Sequence, residues 1–322
     1  MIPTALAKYL LGPETTPGTA VTPSKQLLGL SFSLTPSEEI SRFRPDGVRL
    51  DTATYLTAQG TEVDFEGILD ANALAYVLAS SIVSVSPTQI MDGTTPTGAY
   101  QWSFILNPTA SQARRTYTIG LAGPSYAYQA AYGLLHSFSI EISGEAKLSG
   151  SGVARALEAL SPPESVIQVP AIPLGPIFTL TMDSTAGGIG TTAVQGVLSV
   201  SLEISETAAT VRTGSDLDFS THVDAAPDAT LSFTLAGDVA SYLDLVRTGA
   251  RRYVRLTVTG PTLYSGGVNV VAMFQADLPV VVEKVDKFSD EDGVYAAEIT
   301  ARVVYDASLS PTFLVINRLG AL

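Results

Sequence analysis

Two stretches of this chain carry the same succession of hydrophobic and polar positions. Between Thr230 and Pro261, Leu231, Phe233 and Leu235 alternate with Ser232 and Thr234, the period-2 signature of a half-buried strand. Asp238 stands at an N-cap position, and Val239, Tyr242, Leu243 and Val246 follow at the spacing of one helix face. Gly249 sits where a left-handed residue ends such helices. Arg251-Arg252 then opens a second alternating run through Val254, Leu256 and Val258, closed by Gly260-Pro261. In the first half Phe65 and Asp70 precede Phe233 and Asp238 by 168 residues (233 − 65 and 238 − 70), with Ala71, Leu74, Ala75 and Leu78 on the helical face. Arg114-Arg115 leads there into Tyr117, Ile119 and Leu121, closed by Gly123-Pro124, at the shorter offset of 137 (251 − 114). Ahead of each unit lies one more alternating strand: Leu28, Leu30, Phe32 and Leu34, then Leu198, Val200, Leu202 and Ile204, 170 residues apart (198 − 28). A duplicated strand–helix–strand core predicts a mainly β fold of two tandem β-sandwich or half-barrel units, each flanked by one helix.

The remaining patterns set the expected boundaries. Residues 1–26, with Gly12-Pro13-Glu14-Thr15-Thr16-Pro17-Gly18-Thr19, read as an extended arm rather than a packed element. The first β domain runs over 27–160, with an insertion at about 80–112 that holds the single tryptophan. Trp102, Phe104 and Leu106 alternate there, which predicts an added hairpin strand with Trp102 turned inward. Ser137–Ser143 reads as a further strand, and the Gly- and Ser-rich run to Ala154 is patterned more weakly. Residues 161–176 hold Pro162, Pro163, Pro170, Pro173 and Pro176, the density of a semi-rigid linker. The second β domain occupies 177–322 and ends in two alternating runs, Phe274–Val282 and Tyr295–Tyr305, joined by an acidic turn at Lys287–Gly293. Its opening acid, Asp183-Ser184-Thr185-Ala186-Gly187, echoes Glu14-Thr15-Thr16-Pro17-Gly18.

Composition narrows the function classes. With 46% hydrophobic and 15% charged residues over 322 positions, the chain is too apolar to be disordered. Its sparse charge, replaced by Ser, Thr and Ala, fits a surface partly covered by partners. The net charge of −13 excludes nucleic-acid binding by counterion release, and an acidic surface facing DNA would repel it. Without cysteine there are no disulfides or thiolate metal sites, which suits folding in a cytoplasm. Lys8 and the brief Tyr9-Leu10-Leu11 fall short of a secretory h-region, and the longest apolar run, around Ala71–Val85, is too short to span a bilayer.

Candidate chemistry is thin. His222-Val223-Asp224 places an acid near one of the two histidines, but no nucleophile-elbow pattern accompanies it. Gly188-Ile189-Gly190-Thr191-Thr192-Ala193 fits a loose dinucleotide pattern, yet strand alternation follows where a helix is required, so it reads as a turn. Asp290-Glu291-Asp292-Gly293 lacks the ligand spacing of a calcium loop. No catalytic residue, cofactor or metal is expected. The two Arg pairs read best as subunit-facing ion pairs. Two long polar excursions stand out instead. Pro36–Gly60 interleaves Glu38, Glu39, Arg42, Arg44, Asp46, Arg49 and Asp51; Glu206–Asp228 carries Arg212, Asp216, Asp218 and Asp224. Each is either a solvated hairpin tip or a docking arm whose charges set register with a neighbouring subunit, since exposed ion pairs give only ~0–1 kcal/mol each.

Taken in order, Gly12-Pro13-Glu14-Thr15-Thr16-Pro17-Gly18-Thr19-Ala20-Val21, Arg44-Pro45-Asp46-Gly47, Trp102-Ser103-Phe104, Arg115-Thr116-Tyr117-Thr118, Tyr253-Val254-Arg255-Leu256 and Phe288-Ser289-Asp290-Glu291-Asp292-Gly293-Val294-Tyr295 resemble the tail tube proteins of long, non-contractile-tailed bacteriophages. The resemblance implies a structural virion protein made in the host cytoplasm. Its domains would assemble into stacked rings, with inner sheets joined into a lumen barrel through which DNA passes at ejection. It implies partners such as tape-measure, tail-tip and terminator proteins, and no membrane. It assigns the two excursions, with Glu38, Glu39, Arg42, Arg44, Asp46, Arg49, Asp51, Arg212, Asp216 and Asp218, to contacts between rings or subunits, and the helices to the outer side of the sheet. Two units per chain favour a trimeric ring with six-fold-like symmetry, a six-chain ring being the other solution. The competing class is a secreted or surface tandem β-sandwich that binds glycan or protein.

Overall fold

Alternation dominates the structure as it does the sequence. The computed structural model describes residues 7–107, 109–123, 126–161, 163, 165–214, 216–237, 239–286, 289–291 and 294–322. The N-cap expected at Asp238 and most of the acidic turn at 287–293 lie outside the described residues. The first half contains β1 (Lys8–Pro13), β2 (Lys25–Leu27), β3 (Leu30–Phe43), β4 (Ala53–Ile68), α1 (Ala71–Ser81), β5 (Thr88–Asp92), β6 (Thr95–Ile105), β7 (Tyr117–Ala122), β8 (Ala127–Ile142), β9 (Ala146–Ala154), β10 (Glu158–Leu160) and β11 (Ile167–Val169). The second contains β12 (Phe178–Asp183), β13 (Val197–Ser205), β14 (Ala208–Val211), β15 (Thr221–Asp224), β16 (Asp228–Ala236), α2 (Ala240–Thr248), β17 (Arg251–Ser265), β18 (Asn269–Val285), β19 (Ser289–Glu291), β20 (Val294–Val303) and β21 (Thr312–Asn317).

Strand pairing follows one order twice. In the first half β3 pairs β4, β4 pairs β9 and β9 pairs β8. In the second β13 pairs β16, β16 pairs β20 and β20 pairs β18. Phe65 lies opposite Phe32 and Gly150, as Phe233 lies opposite Val200 and Ile299. The long strands β8 and β18 each carry a bulge, at Leu135/Ser137 and Val282/Lys284. A bulge bends its strand and lets it change partners. Past its bulge β8 goes on to pair β7 through Ala127–Gly133, and β18 goes on to pair β17 through Asn269–Val281. β1 and β12 complete the outer layers by pairing β7 and β17. The halves are not separate bodies: β8 pairs antiparallel with β13, Ile140 opposite Leu202, and one apolar core cluster takes side chains from both.

Two sequence expectations are corrected. Residues 8–13 are a packed strand, because Leu10 and Leu11 are fully buried against β7 and the sheet behind it. The proline-rich stretch is docked rather than free. β10 pairs β8, β11 runs parallel to β2, and Ile172 and Leu174 are buried. All residues of α1 are buried. A helix apolar all round requires cover on every side, and distant segments supply it. Trp102 of β6 donates its indole N–H to Asn317 Oδ1 (3.1 Å) and Leu319 O (3.2 Å), while Asn317 Nδ2 donates to Ala71 O (3.0 Å). Asn72 Nδ2 reaches Pro170 O in the docked stretch at 2.8 Å. α2 buries only Leu245 and ends, as its sequence indicates, on Gly249 at φ 60.

Asp70 joins these parts. Its carboxylate caps α1 by accepting from the Asn72 and Ala73 N–H groups (3.0 and 3.2 Å) and accepts a third N–H, from Ile172, at 2.7 Å. Asp70→Ala is therefore expected to cost about 2–4 kcal/mol, more than loss of a surface cap, because buried N–H donors are left without partners. Urea unfolding of the variant against the parent protein measures it.

Candidate interaction surfaces

The two excursions leave equivalent strand ends and take different courses. Ser37 pairs Gly60 at the root of the first, and Ser205 pairs Asp228 at the root of the second, so each arm holds 22 residues (59 − 38 + 1 and 227 − 206 + 1). In the first arm β3 and β4 continue as one ladder out to Phe43 opposite Ala53. In the second the chain turns at Glu206, whose φ is 55, and β14 and β15 form a separate two-stranded ribbon.

That ribbon folds back on the first half of the same chain. Arg114 is the anchor, its side chain 3% exposed. Its Nε donates to Asp224 Oδ1 at 2.9 Å, Nη1 donates to Ser81 O and to Thr207 Oγ1 (3.0 Å), and Nη2 donates to Thr207 O (2.6 Å). The planar guanidinium can hold an α1 C-terminal carbonyl and a carboxylate together, which an ammonium cannot. Asp224 also accepts from Ser111 Oγ (2.7 Å) and Gln112 N (2.9 Å). Partial burial works to raise its pKa, but these donors and Arg114 outweigh that and hold it below the usual carboxylate range. Further along the arm, Gln59 N donates to Leu217 O (3.0 Å), and Asp218 accepts from Gln59 Nε2 (3.1 Å) and Ala156 N (2.8 Å). Arg155 donates to Phe219 O (3.0 Å) and stacks over Tyr132 and Phe219. His222 Nδ1 lies 3.1 Å from the Tyr132 hydroxyl, so the His222/Asp224 pair is engaged in this docking.

The charged positions singled out by sequence therefore divide. Asp218 is bound inside its own chain, whereas Arg212 and Asp216 are exposed. Glu38, Glu39, Arg42, Arg44, Asp46, Arg49 and Asp51 are all exposed on the first arm, and among the described residues none of them forms an ion pair. The arginine pairs are corrected too: Arg114 binds Asp224 and Arg251 binds Asp306, both within the chain. Sequence patterning missed the apolar content of the first arm. Ile40, Phe43, Val48, Leu50 and Tyr55 are exposed, Leu50 by 77%. Their spacing shows only that they sit among charges, not that they lack cover.

Two more surfaces matter. Among the described residues β3 pairs only β4, so one margin of the β3–β4–β9–β8–β13–β16–β20–β18 sheet is bare; at the other margin β18 pairs β17 up to Val281, and only its last residues and β19, which pairs only β20, are bare. Its solvent face carries Ser and Thr with Glu62, Asp64, Glu66, Glu141, Glu203, Asp228 and Glu298, against Lys147, Lys284 and Arg302. No helix among the described residues is long and apolar enough to cross a membrane. The chain matches the family model described as "Phage tail tube protein" over residues 4–299. No curated protein matches it.

Arg114→Ala is expected to destabilise the protein by about 3–5 kcal/mol, because Asp224 loses its buried cation and Ser81 and Thr207 lose their donor. Denaturant titration checks this. Arg114→Lys should recover only part of the loss.

Proposed function

From the premise that the chain belongs to the phage tail tube protein family, a structural protein of the virion tail, we propose that three copies close into a ring of six equivalent sandwich units, two per chain. The observation that carries this is the seam between β8 and β13. It joins the two halves edge to edge through Phe138 opposite Ile204, Ile140 opposite Leu202 and Ile142 opposite Val200. The repeated pairing order makes β3 the counterpart of β13 and β18 the counterpart of β8. The bare β3 of one copy is thus matched to the bare margin at the end of β18 and β19 of the next. Pairing removes both edges, and a heterologous contact that closes about an axis gives a ring whose copies can stack. The tandem division at the 161–176 segment follows from the same repeat.

In this reading the polar face of the eight-stranded sheet is the bore. Seven carboxylates against three cations repel phosphate, and the scattered cations do not provide the dense array that counterion release needs, so DNA passes without adhering. The role is structural, with no catalytic step. Tape-measure, tail-tip and terminator proteins are the expected neighbours, and the exposed charges of the first arm serve contacts between subunits.

Electron microscopy of assembled protein tests the stoichiometry. Six lobes with true three-fold symmetry are expected; six chains and twelve units per ring would overturn it. The bore has its own test. Glu62→Lys, Asp64→Lys and Glu66→Lys together should leave tubes intact and slow triggered DNA release, and release at the parental rate would count against an electrostatic lining.

A further inference from the structure

The second arm shows how an arm grips the unit beside it. Starting from β13, it crosses the β8–β13 seam and lies on the neighbouring unit, where Asp218 meets Gln59 and Ala156 and its backbone meets Arg155. The repeat fixes the equivalent partners for the first arm. Strands β4 and β16 correspond at an offset of 168 (233 − 65), and β9 and β20 at 149 (299 − 150). Gln59 thus maps to Pro227 (59 + 168), Arg155 to Val304 and Ala156 to Tyr305 (155 + 149 and 156 + 149), while Asp218 maps back to Leu50 (218 − 168).

Those positions form a cleft. Pro227, Val304 and Tyr305, with Leu106, Val223 and Pro311, line a hollow of about 620 Å³ between the second half and the 106–114 segment of the first, and Tyr305 is 58% exposed. The chemistry has changed on both sides at once. Where the first unit offers Gln59 and Arg155, the arm brings Asp218; where the second offers Pro227 and Val304, the free arm brings Leu50.

We propose that the first arm of each copy is a lateral clasp, folding across the shared seam into the Pro227/Val304/Tyr305 cleft of its neighbour in the same ring and seating Leu50 against Tyr305. This rests on the side-by-side joining proposed above. The occupant is a second copy of this chain, and the arm acts within the ring rather than between rings.

The chain has no cysteine, so a paired substitution reads the contact cleanly. Leu50→Cys with Tyr305→Cys, assembled and treated with copper-phenanthroline, should give a closed covalent oligomer of ring size on a non-reducing denaturing gel. It should vanish with reductant and be missing from either single variant. Tubes that form without this species would overturn the clasp and leave the ring intact. An open-ended ladder would also overturn it, since that product comes from arms linking ring to ring. Should the double variant not assemble, density for the parental tube decides: an arm in the cleft of the same ring supports the clasp, and an arm crossing to the next ring refutes it. A parental protein that forms no rings at all would remove the side-by-side joining, and the clasp with it.

Discussion

An exposed strand edge is a row of backbone donors and acceptors with no partner but water, and the whole molecule is arranged around that condition. Between the two halves the condition is met internally, where β8 and β13 share a ladder and alternate Phe138, Ile140 and Ile142 with Val200, Leu202 and Ile204 on one buried face. Because side chains alternate with period two, a one-residue slip there would carry this apolar set to the wet face, so register is fixed by burial as well as by hydrogen bonds. At the outer margins the same ladder stops with β3 and β19 unpaired on one side among the described residues. Proteins normally blunt such edges with charge, proline or cover. Here β3 presents Ser31, Ser33 and Thr35 ahead of Pro36, with no charge among them, a margin suited to pairing rather than guarded against it.

The two copies of the unit have diverged in where they take their cover. α1 is enclosed by the β5–β6 hairpin, by β21 and by the docked 161–176 stretch, through Trp102, Asn317 and Asn72. α2 lacks that wrapping and buries only Leu245. The C-terminal strand thus closes the first unit across the second, since β21 pairs β6 on one side and β18 on the other. A chain so cross-tied is built to move as one piece. This suits a tube element that must hold its diameter, because packed interiors are only weakly compressible.

Local periodicity made most of the inner sheet legible. The alternation of Leu231, Phe233 and Leu235 lies in β16, that of Phe32 and Leu34 in β3, and Asp70 caps α1 as its spacing indicates. What stayed hidden depends on contacts far apart in sequence. Nothing near Ala71 announces that Asn317, 246 residues away, will accept the Trp102 indole proton and cover the helix. Proline density around 161–176 reports stiffness but not that Ile172 N will find Asp70. The two arms look alike as mixed-charge runs of equal length. Their difference lies in Arg114, which sequence reads as one of a subunit-facing pair and the fold buries against Asp224. The apolar tip of the first arm was in view, but alternation cannot say whether Leu50 has a partner.

On the proposed clasp, that contrast between the arms has a physical origin in the kind of junction each one spans. The second arm is tethered to the unit it grips, so its effective concentration is set by the chain, and directional contacts such as Asp218 with Gln59 and Ala156 are enough to fix its position. An arm that must capture a separate copy meets the entropy of association, which exposed ion pairs worth ~0–1 kcal/mol each cannot offset. Apolar area can: burying one side chain the size of leucine contributes about 1.5–3 kcal/mol. The replacement of Asp218 by Leu50, and of Arg155 by Val304, is the substitution that difference calls for. In this view the exposed arginines and carboxylates of the first arm set its register, while Leu50 and its apolar neighbours supply the adhesion.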